Sequence, residues 1–345
     1  MLNVYLDPFS TESLLNRLFS ADPELDRDAG QVVWRYLREY CIKNDINLNT
    51  VDIWDKERAT DSDVYVALNH KERPILKEMY RTLIGRLNQT PNLSVFGRRI
   101  LFQFETPVVQ PWPYSNMKNL AKIYDTMFFS CKIPETEKYG YVHYPQPFNM
   151  IFPKYWKNKD RLFLTMINAN KRLFLPPTEL HTERIKAVAF FGKFNEIDLY
   201  GHGWNNPVRS TDLNWSVVRH VYKGSVASKN ETMYRYTFAI CFENMALPGY
   251  ITEKIIDCFL VGTVPVYLGA QDIEKYIPKR CFIDMRDFEN FDELRTHLKT
   301  MTRKEIETYR NNAKRYLESK QYFQFTKEYF AELFVDLVNG VPRKS

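Results

Sequence analysis

The sequence lacks any apolar run long enough to cross a bilayer. It opens MLNVYLDPFST, with neither a basic segment nor an extended apolar one behind it. The expectation is a cytoplasmic or otherwise soluble chain without signal peptide or transmembrane segment; peripheral membrane association stays open. Twelve Gly and 18 Pro are too few for collagenous or low-complexity classes. The five cysteines, Cys41, Cys131, Cys241, Cys258 and Cys281, are odd in number and far apart except for Cys241 and Cys258. Neither a disulfide framework nor CxxC zinc spacing is present, which leaves reduced, buried thiols. The six histidines show no metal-ligand spacing. No GxxxxGK occurs, and Gly201-His202-Gly203 lacks the third glycine of a dinucleotide fingerprint, so P-loop ATPases and NAD enzymes are disfavoured.

What is present is core-forming material, 44% hydrophobic and 15% aromatic over 345 residues. That length is more than twice the roughly 150 residues of a usual domain, so two domains are expected. Lys and Arg number 48 against 42 Asp and Glu, a net charge of +6. This mild excess suits a phosphorylated ligand, but the basic residues are interspersed with acidic ones and form no nucleic-acid-binding face.

Strand-like and helix-like stretches alternate, the signature of parallel sheets wrapped by helices. In the first half the strands are Asn3–Leu6, Ile46–Trp54, Val64–Leu68, Ile100–Phe104 and Met127–Cys131, with helices at Gln31–Lys43, Ile75–Leu87 and Met117–Tyr124. The second half gives helices Glu183–Phe191, Asn230–Tyr236 and Thr252–Leu260 and strands Ile197–Tyr200, Thr237–Phe242 and Val264–Leu268. From Arg303 to Leu337 the pattern reads as amphipathic helices packed on the outside. The expected organisation is two Rossmann-like domains, residues 1–155 and 156–325, and a helical tail, 326–345. Ligands of such sheets bind outside the carboxyl ends of the strands, which directs attention to the loops after Phe104, Phe242 and Leu268.

The segment Tyr236–Gly269 carries the densest chemistry: an apolar strand runs into Glu243 and Asn244, a Pro-Gly turn follows, and Thr252-Glu253-Lys254 opens a helix. Thr252 is placed to act as N-cap, and the free N–H groups of the first turn, with the Lys254 charge, suit a phosphate. Gly269 would let a ligand approach the backbone. Glu105 follows the strand ILFQF and so lies on a carboxyl-end loop. Asp61-Ser62-Asp63 and Asp26-Arg27-Asp28 spell the Asp-x-Asp of metal-dependent sugar-nucleotide enzymes but fall in turns, and no metal is assigned to them. Sequons at Asn88, Asn92, Asn214 and Asn230 read as inert without a secretory signal.

In order, Phe238–Asn244, Tyr250–Lys254, Gly262–Gly269 and Phe282–Phe288 match Phe-x-x-x-Phe-Glu-Asn, Tyr-Ile-Thr-Glu-Lys, Gly-x-Val-Pro-Val-x-x-Gly and Phe-Ile-Asp-x-x-Asp-Phe. Through this ordered set the sequence resembles the α1,3/α1,4-fucosyltransferases, family ten of the glycosyltransferases. Strong resemblance covers roughly Asn230 to Phe288; one departure is Met245, where the family usually has a small polar residue.

The resemblance implies a GT-B enzyme, two doubly wound Rossmann-like domains facing across a cleft, the second holding GDP-fucose and the first an oligosaccharide acceptor. It implies inverting, metal-independent transfer of L-fucose to a hydroxyl of N-acetylglucosamine or glucose, in α1,3 linkage, without a cofactor. Arg184 and Lys254 become the cations for the GDP leaving group, and Asn244, Tyr250, Glu253 and Tyr222 donor contacts. Glu253 would also favour positive charge at the anomeric carbon, and Glu105 would be the general base. Trp112 and Tyr114 offer flat faces to acceptor sugars. Two alternatives stand beside this reading: another sugar nucleotide on the same scaffold, or a catalytically silent sugar-nucleotide or glycan binder.

Overall fold

The computed structural model describes residues 1–22, 26, 29–71, 92–170, 178–205 and 215–342. The chain divides into two units, Met1–Pro147 with Gln324–Ser345, and Phe148–Phe323.

The first unit is built on a six-stranded parallel sheet in the order β2-β1-β3-β4-β5-β6. Its strands are β1 (Leu2–Asp7), β2 (Ile46–Thr50), β3 (Val64–Leu68), β4 (Arg98–Gln103), β5 (Thr126–Phe129) and β6 (Gly140–Tyr141). Buried on both faces, β3 is apolar throughout (VYVAL), as central parallel strands are. Helices α1 (Val32–Lys43), α2 (Pro111–Ser115) and α3 (Met117–Ile123) match or lie close to the predicted helical stretches except α2, whose Pro111 supplies the N-terminal turn. The expected strand Ile46–Trp54 ends at Thr50, where Asn16 takes over its edge: the Thr50 N–H donates to Asn16 Oδ1 at 2.8 Å and the Asn16 N–H to Thr50 Oγ1 at 2.9 Å. The helix expected at Ile75–Leu87 lies outside the described residues.

Residues 326–345 are expected as a helical tail, and Arg303–Leu337 as helices packed on the outside. Instead, the helix Lys327–Val338 completes the first unit's core, with Phe330, Phe334 and Val338 buried beside Trp34, Leu37 and Phe102. The boundary also falls earlier than residue 155. Phe152, the N-cap of the short helix Pro153–Trp156, α4, and Trp156, its last residue, both donate to the Leu260 carbonyl of the second unit, from the backbone N–H at 2.8 Å and the indole N–H at 3.1 Å.

The second unit has a five-stranded parallel sheet in the order β11-β10-β9-β7-β8. These strands are β7 (Leu162–Ile167), β8 (Ile197–Tyr200), β9 (Tyr236–Phe242), β10 (Val264–Leu268) and β11 (Ile283–Asp284). Between them run α5 (His181–Gly192), α6 (Trp215–Val221), α7 (Lys229–Met233) and α8 (Glu253–Val261), followed by α9 (Phe291–Thr300) and α10 (Arg303–Leu317). β7, absent from the sequence reading, pairs with both β8 and β9 and joins the halves of the sheet. Leu164, Met166, Ile240, Val266 and Phe191 fill the core, with Trp204 packed against them. All strands being parallel, the loops after β7, β8, β9 and β10 share one edge of the sheet.

Candidate active site

At its carboxyl end β9 leads directly into Glu243, a carboxylate with no exposed surface. The Thr252 N–H donates to it at 2.8 Å, the Thr252 hydroxyl at 2.8 and 3.0 Å, and Lys254 Nζ at 3.0 Å. A buried charge persists only when paired in this way. Thr252 does occupy the N-cap position of α8, as expected, but its hydroxyl is turned to Glu243 and caps no helix N–H. Gly269 also has another role than the one predicted. A Cβ there would lie 2.3 Å from the Tyr267 hydroxyl and 2.7 Å from Glu243 Cγ, so the space is taken by the protein's own side chains and not left for a ligand.

Arg184, expected as a cation at the head of its helix, is only 3% exposed. Its Nε and Nη2 donate to the Phe242 carbonyl at 3.0 and 2.7 Å, and Nη2 to Asn244 Oδ1 at 2.9 Å. Burial pushes its pKa down, against Glu243, Tyr250 and Glu253, which favour the charged form. Asn244 in turn donates from Nδ2 to the Tyr250 hydroxyl at 3.3 Å. Arg184, Asn244 and Tyr250 thus form one chain of contacts that fixes the loop leaving β9. The unusual Met245 is buried in that loop and bridges Glu179.

Lys254 keeps 15% of its side chain exposed and lies 3.8 Å from Glu253 Oε1. Lys229 approaches the same carboxylate at 3.6 Å and Asp257 at 3.7 Å. Burial of the Glu253 carboxyl pushes its pKa up, but Lys254, Lys229, its own backbone N–H and the Thr252 hydroxyl outweigh this and hold it lowered to about 2. Glu253 is therefore a fixed negative charge at neutral pH, suited to face a developing cation and not to exchange protons. Tyr222 stands apart from this cluster, beside the end of β8, two strands from β9, where its hydroxyl donates to the Gly201 carbonyl at 2.8 Å. It ties down the Gly201-His202-Gly203 turn; at Gly201 (φ +127°) a Cβ would collide with the Asn168 carbonyl at 2.0 Å.

In the first unit, Glu105 is half-buried on the loop after β4. Asn69, at the end of β3 with φ +61°, accepts at Oδ1 from the Phe104 N–H at 2.6 Å and the Glu105 N–H at 3.0 Å. The Glu105 carbonyl accepts from the Tyr114 hydroxyl at 2.7 Å, so Tyr114, 8% exposed, is a strut of the loop. Trp112 stacks on His70, with ring centroids 4.8 Å apart and 17° between planes. Asn69 and His70 stand out in no motif of the sequence. An asparagine directly after an apolar strand, tolerant of the left-handed conformation, was the available signal.

Among the described residues no group of three or more His, Cys, Asp and Glu could hold a metal ion. Asp63 is 1% exposed and accepts from Thr60 and Asn3 side chains, while Asp26 pairs with Arg35; Arg27 and Asp28 lie outside the described residues. All five cysteines are buried and free, with Cys241 and Cys258 Sγ atoms 3.1 Å apart. Of the sequons, Asn230 is 8% exposed and Asn92 accepts from the Ser94 N–H; Asn88 and Asn214 lie outside the described residues. No described helix is long and apolar enough to cross a membrane.

Two parallel Rossmann-like sheets, one in each unit, define the GT-B class of glycosyltransferase. The fold of a protein solved as "alpha1,3-Fucosyltransferase" agrees (TM-score 0.51, 16% identity, 99% of this chain and 91% of that one). So does that of an "alpha-glucosyltransferase in complex with UDP and a 13-mer DNA" (TM-score 0.54, 11% identity, 98% and 99%). The family described as "Glycosyltransferase family 10 (fucosyltransferase) C-term" matches residues 164–337, and the chain belongs to it. Among curated relatives, the "Alpha-(1,3)-fucosyltransferase FucT" of Helicobacter pylori is 37% identical over 109 residues, 31% of this chain and 23% of that protein. The "4-galactosyl-N-acetylglucosaminide 3-alpha-L-fucosyltransferase 9" of Homo sapiens is 35% identical over 130 residues, 35% of this chain and 33% of that one. The chain thus matches between about a quarter and a third of these relatives' length.

Proposed function

We propose that the protein transfers L-fucose from GDP-fucose to a hydroxyl of an N-acetylglucosamine or glucose unit of an oligosaccharide, in α1,3 linkage and with inversion. The observation that carries this reading is the convergence of Lys254, Glu253, Asn244, Tyr250 and Arg184 on the loop between β9 and α8. The acceptor oxygen attacks the anomeric carbon, the bond to the β-phosphate oxygen breaks, and the acceptor proton passes to Glu105. Lys254 supplies charge at the surface to the departing diphosphate. Arg184 contributes from behind, as a buried positive charge that holds Asn244 in place. Glu253, anionic at neutral pH, favours the positive charge that builds at the sugar carbon. Protein cations stand where other sugar-nucleotide enzymes use a metal, and no cofactor is required. The acceptor is carried by the first unit, whose Trp112 offers a face to a sugar ring.

The test is a comparison of GDP-fucose, GDP-mannose and UDP-sugars as donors on a panel of oligosaccharides, with linkage analysis of the product. Transfer from GDP-fucose alone is expected. Transfer from another nucleotide sugar would move the chain to a different donor, and GDP binding without transfer from any donor would make it a binding protein.

A further inference from the structure

We infer that Glu243 is a positioning residue for Lys254, a buried carboxylate that aims the ammonium group at the donor diphosphate; the inference rests on the donor reading above. A lysine is a compact charge on a flexible four-carbon stem and by itself points nowhere in particular. Here Nζ donates to Glu243 Oε2 at 3.0 Å and to Thr252 Oγ1 at 2.9 Å. Two of its three donors are thereby spent; the third makes no further hydrogen bond among the described residues, with Glu253 Oε1 3.8 Å from Nζ as an ion-pair neighbour beyond hydrogen-bond reach. With two tetrahedral directions fixed, the direction of the third is fixed as well. The two ends of the pair differ in the way such a role requires: Glu243 has no exposed side-chain surface, while Lys254 keeps 15%.

The surroundings are built around this carboxylate. Its own backbone N–H donates to the Leu268 carbonyl at 2.8 Å, which anchors it to the end of β10. The Thr252 N–H reaches it from the start of α8. Gly269 leaves room for it, since a Cβ there would come within 2.7 Å of Glu243 Cγ. Three elements, the ends of β9 and β10 and the start of α8, thus meet at one side chain. Stability alone is a weak reason for such a site, because an apolar pair of similar volume often serves a core as well.

The experiment uses the full chain as parent, Glu243→Gln, Lys254→Met and the double variant. For each, kcat and KM for GDP-fucose are measured on a lactosamine-type acceptor, below the melting midpoint of all four. Each single variant is expected to lower kcat/KM by about 10- to 100-fold, the range for losing a charge-assisted hydrogen bond. The double variant is expected to lose no more than Lys254→Met alone, because Glu243 then has nothing left to aim. Losses that multiply in the double variant, or Glu243→Gln at the parent value, overturn the inference and leave the donor reading standing. Lys254→Met at the parent value overturns the donor reading itself. Should Glu243→Gln fail to fold, Thr252→Val replaces it. That change keeps the backbone N–H on the carboxylate and removes only the hydroxyl between Glu243 and Lys254, and the same outcomes decide.

Discussion

Asn69 holds the backbone of Glu105: the Glu105 N–H donates to Asn69 Oδ1 at 3.0 Å, and the same oxygen takes the Phe104 N–H at 2.6 Å. One side-chain amide at the end of β3 therefore shapes the start of the loop that leaves β4. It does so from a left-handed backbone conformation, φ +61°, that few residues other than glycine and asparagine adopt cheaply.

Replacing Asn69 separates these two contributions. Asn69→Gly keeps the backbone conformation at ease and loses both hydrogen bonds. Asn69→Ala loses them too and adds the left-handed strain, about 1–2 kcal/mol. Thermal unfolding is expected to rank parent, Asn69→Gly and Asn69→Ala in falling stability, with transfer reduced in both because the Glu105 loop is released. Equal midpoints for the glycine and alanine variants would contradict the strain argument.

The Lys254–Glu243 pair makes a second prediction, in stability. Lys254→Met strands a carboxylate with no exposed surface, a loss of about 3–5 kcal/mol for breaking a buried pair. Adding Glu243→Gln removes the stranded charge and should recover most of the melting midpoint. A double variant less stable than Lys254→Met would show that Glu243 is stabilised without its lysine.

Acid stability follows from Glu253. Its folded pKa lies below the unfolded value, lowered to about 2 from the ordinary 4.5, so the unfolded chain binds the proton more tightly. The contribution is complete above pH 4.5 and is lost as the pH falls towards 2. Glu253→Gln should show a flatter fall in melting midpoint than the parent between these limits. Parallel curves would mean that Lys254 and Lys229 do not hold the carboxylate in its charged form.

Much of the fold was legible because β3 and β10 are short apolar runs and β8 (IDLY) alternates, and their predicted spans coincide with the observed ones. β7 was not, although LFLTMI is likewise a short apolar run: it follows a charged stretch, and the strands that pair with it, β8 and β9, lie more than 30 and 70 positions further along the chain. Phe330 and Phe334 illustrate another limit: their spacing shows an apolar helix face but not which core that face fills. At the site, the motif residues were visible as letters. That Arg184 would be buried against the Phe242 carbonyl, 58 positions away, and that Glu243 would hold Lys254 depend on contacts between elements that no local pattern records.

Chelation tests the part given to protein cations. Enzyme treated with EDTA should retain most of its transfer activity if Lys254 and Arg184 meet the diphosphate charge. Loss of activity with chelator and its return with Mn²⁺ would bring Asp61 and Asp63 back as candidate ligands.

The base makes the sharpest prediction. Glu105→Gln preserves the size of the side chain and the backbone bonds, the N–H to Asn69 Oδ1 and the carbonyl accepting from the Tyr114 hydroxyl, and removes only basicity. General-base catalysis of this kind contributes about 10²–10⁴-fold, so transfer to a lactosamine-type acceptor should fall by that factor. GDP affinity should be unchanged, since Glu105 belongs to the first unit and the proposed donor residues to the second. Slow donor hydrolysis should persist at its background rate, because Lys254 and Arg184 still serve the leaving group. The measurements are initial transfer rates, GDP titration and GDP release without acceptor on one preparation. A folded Glu105→Gln enzyme that binds GDP normally and transfers fucose near the parent rate would remove Glu105 from the mechanism and turn the search to other carboxylates on the strand-end loops of the first unit.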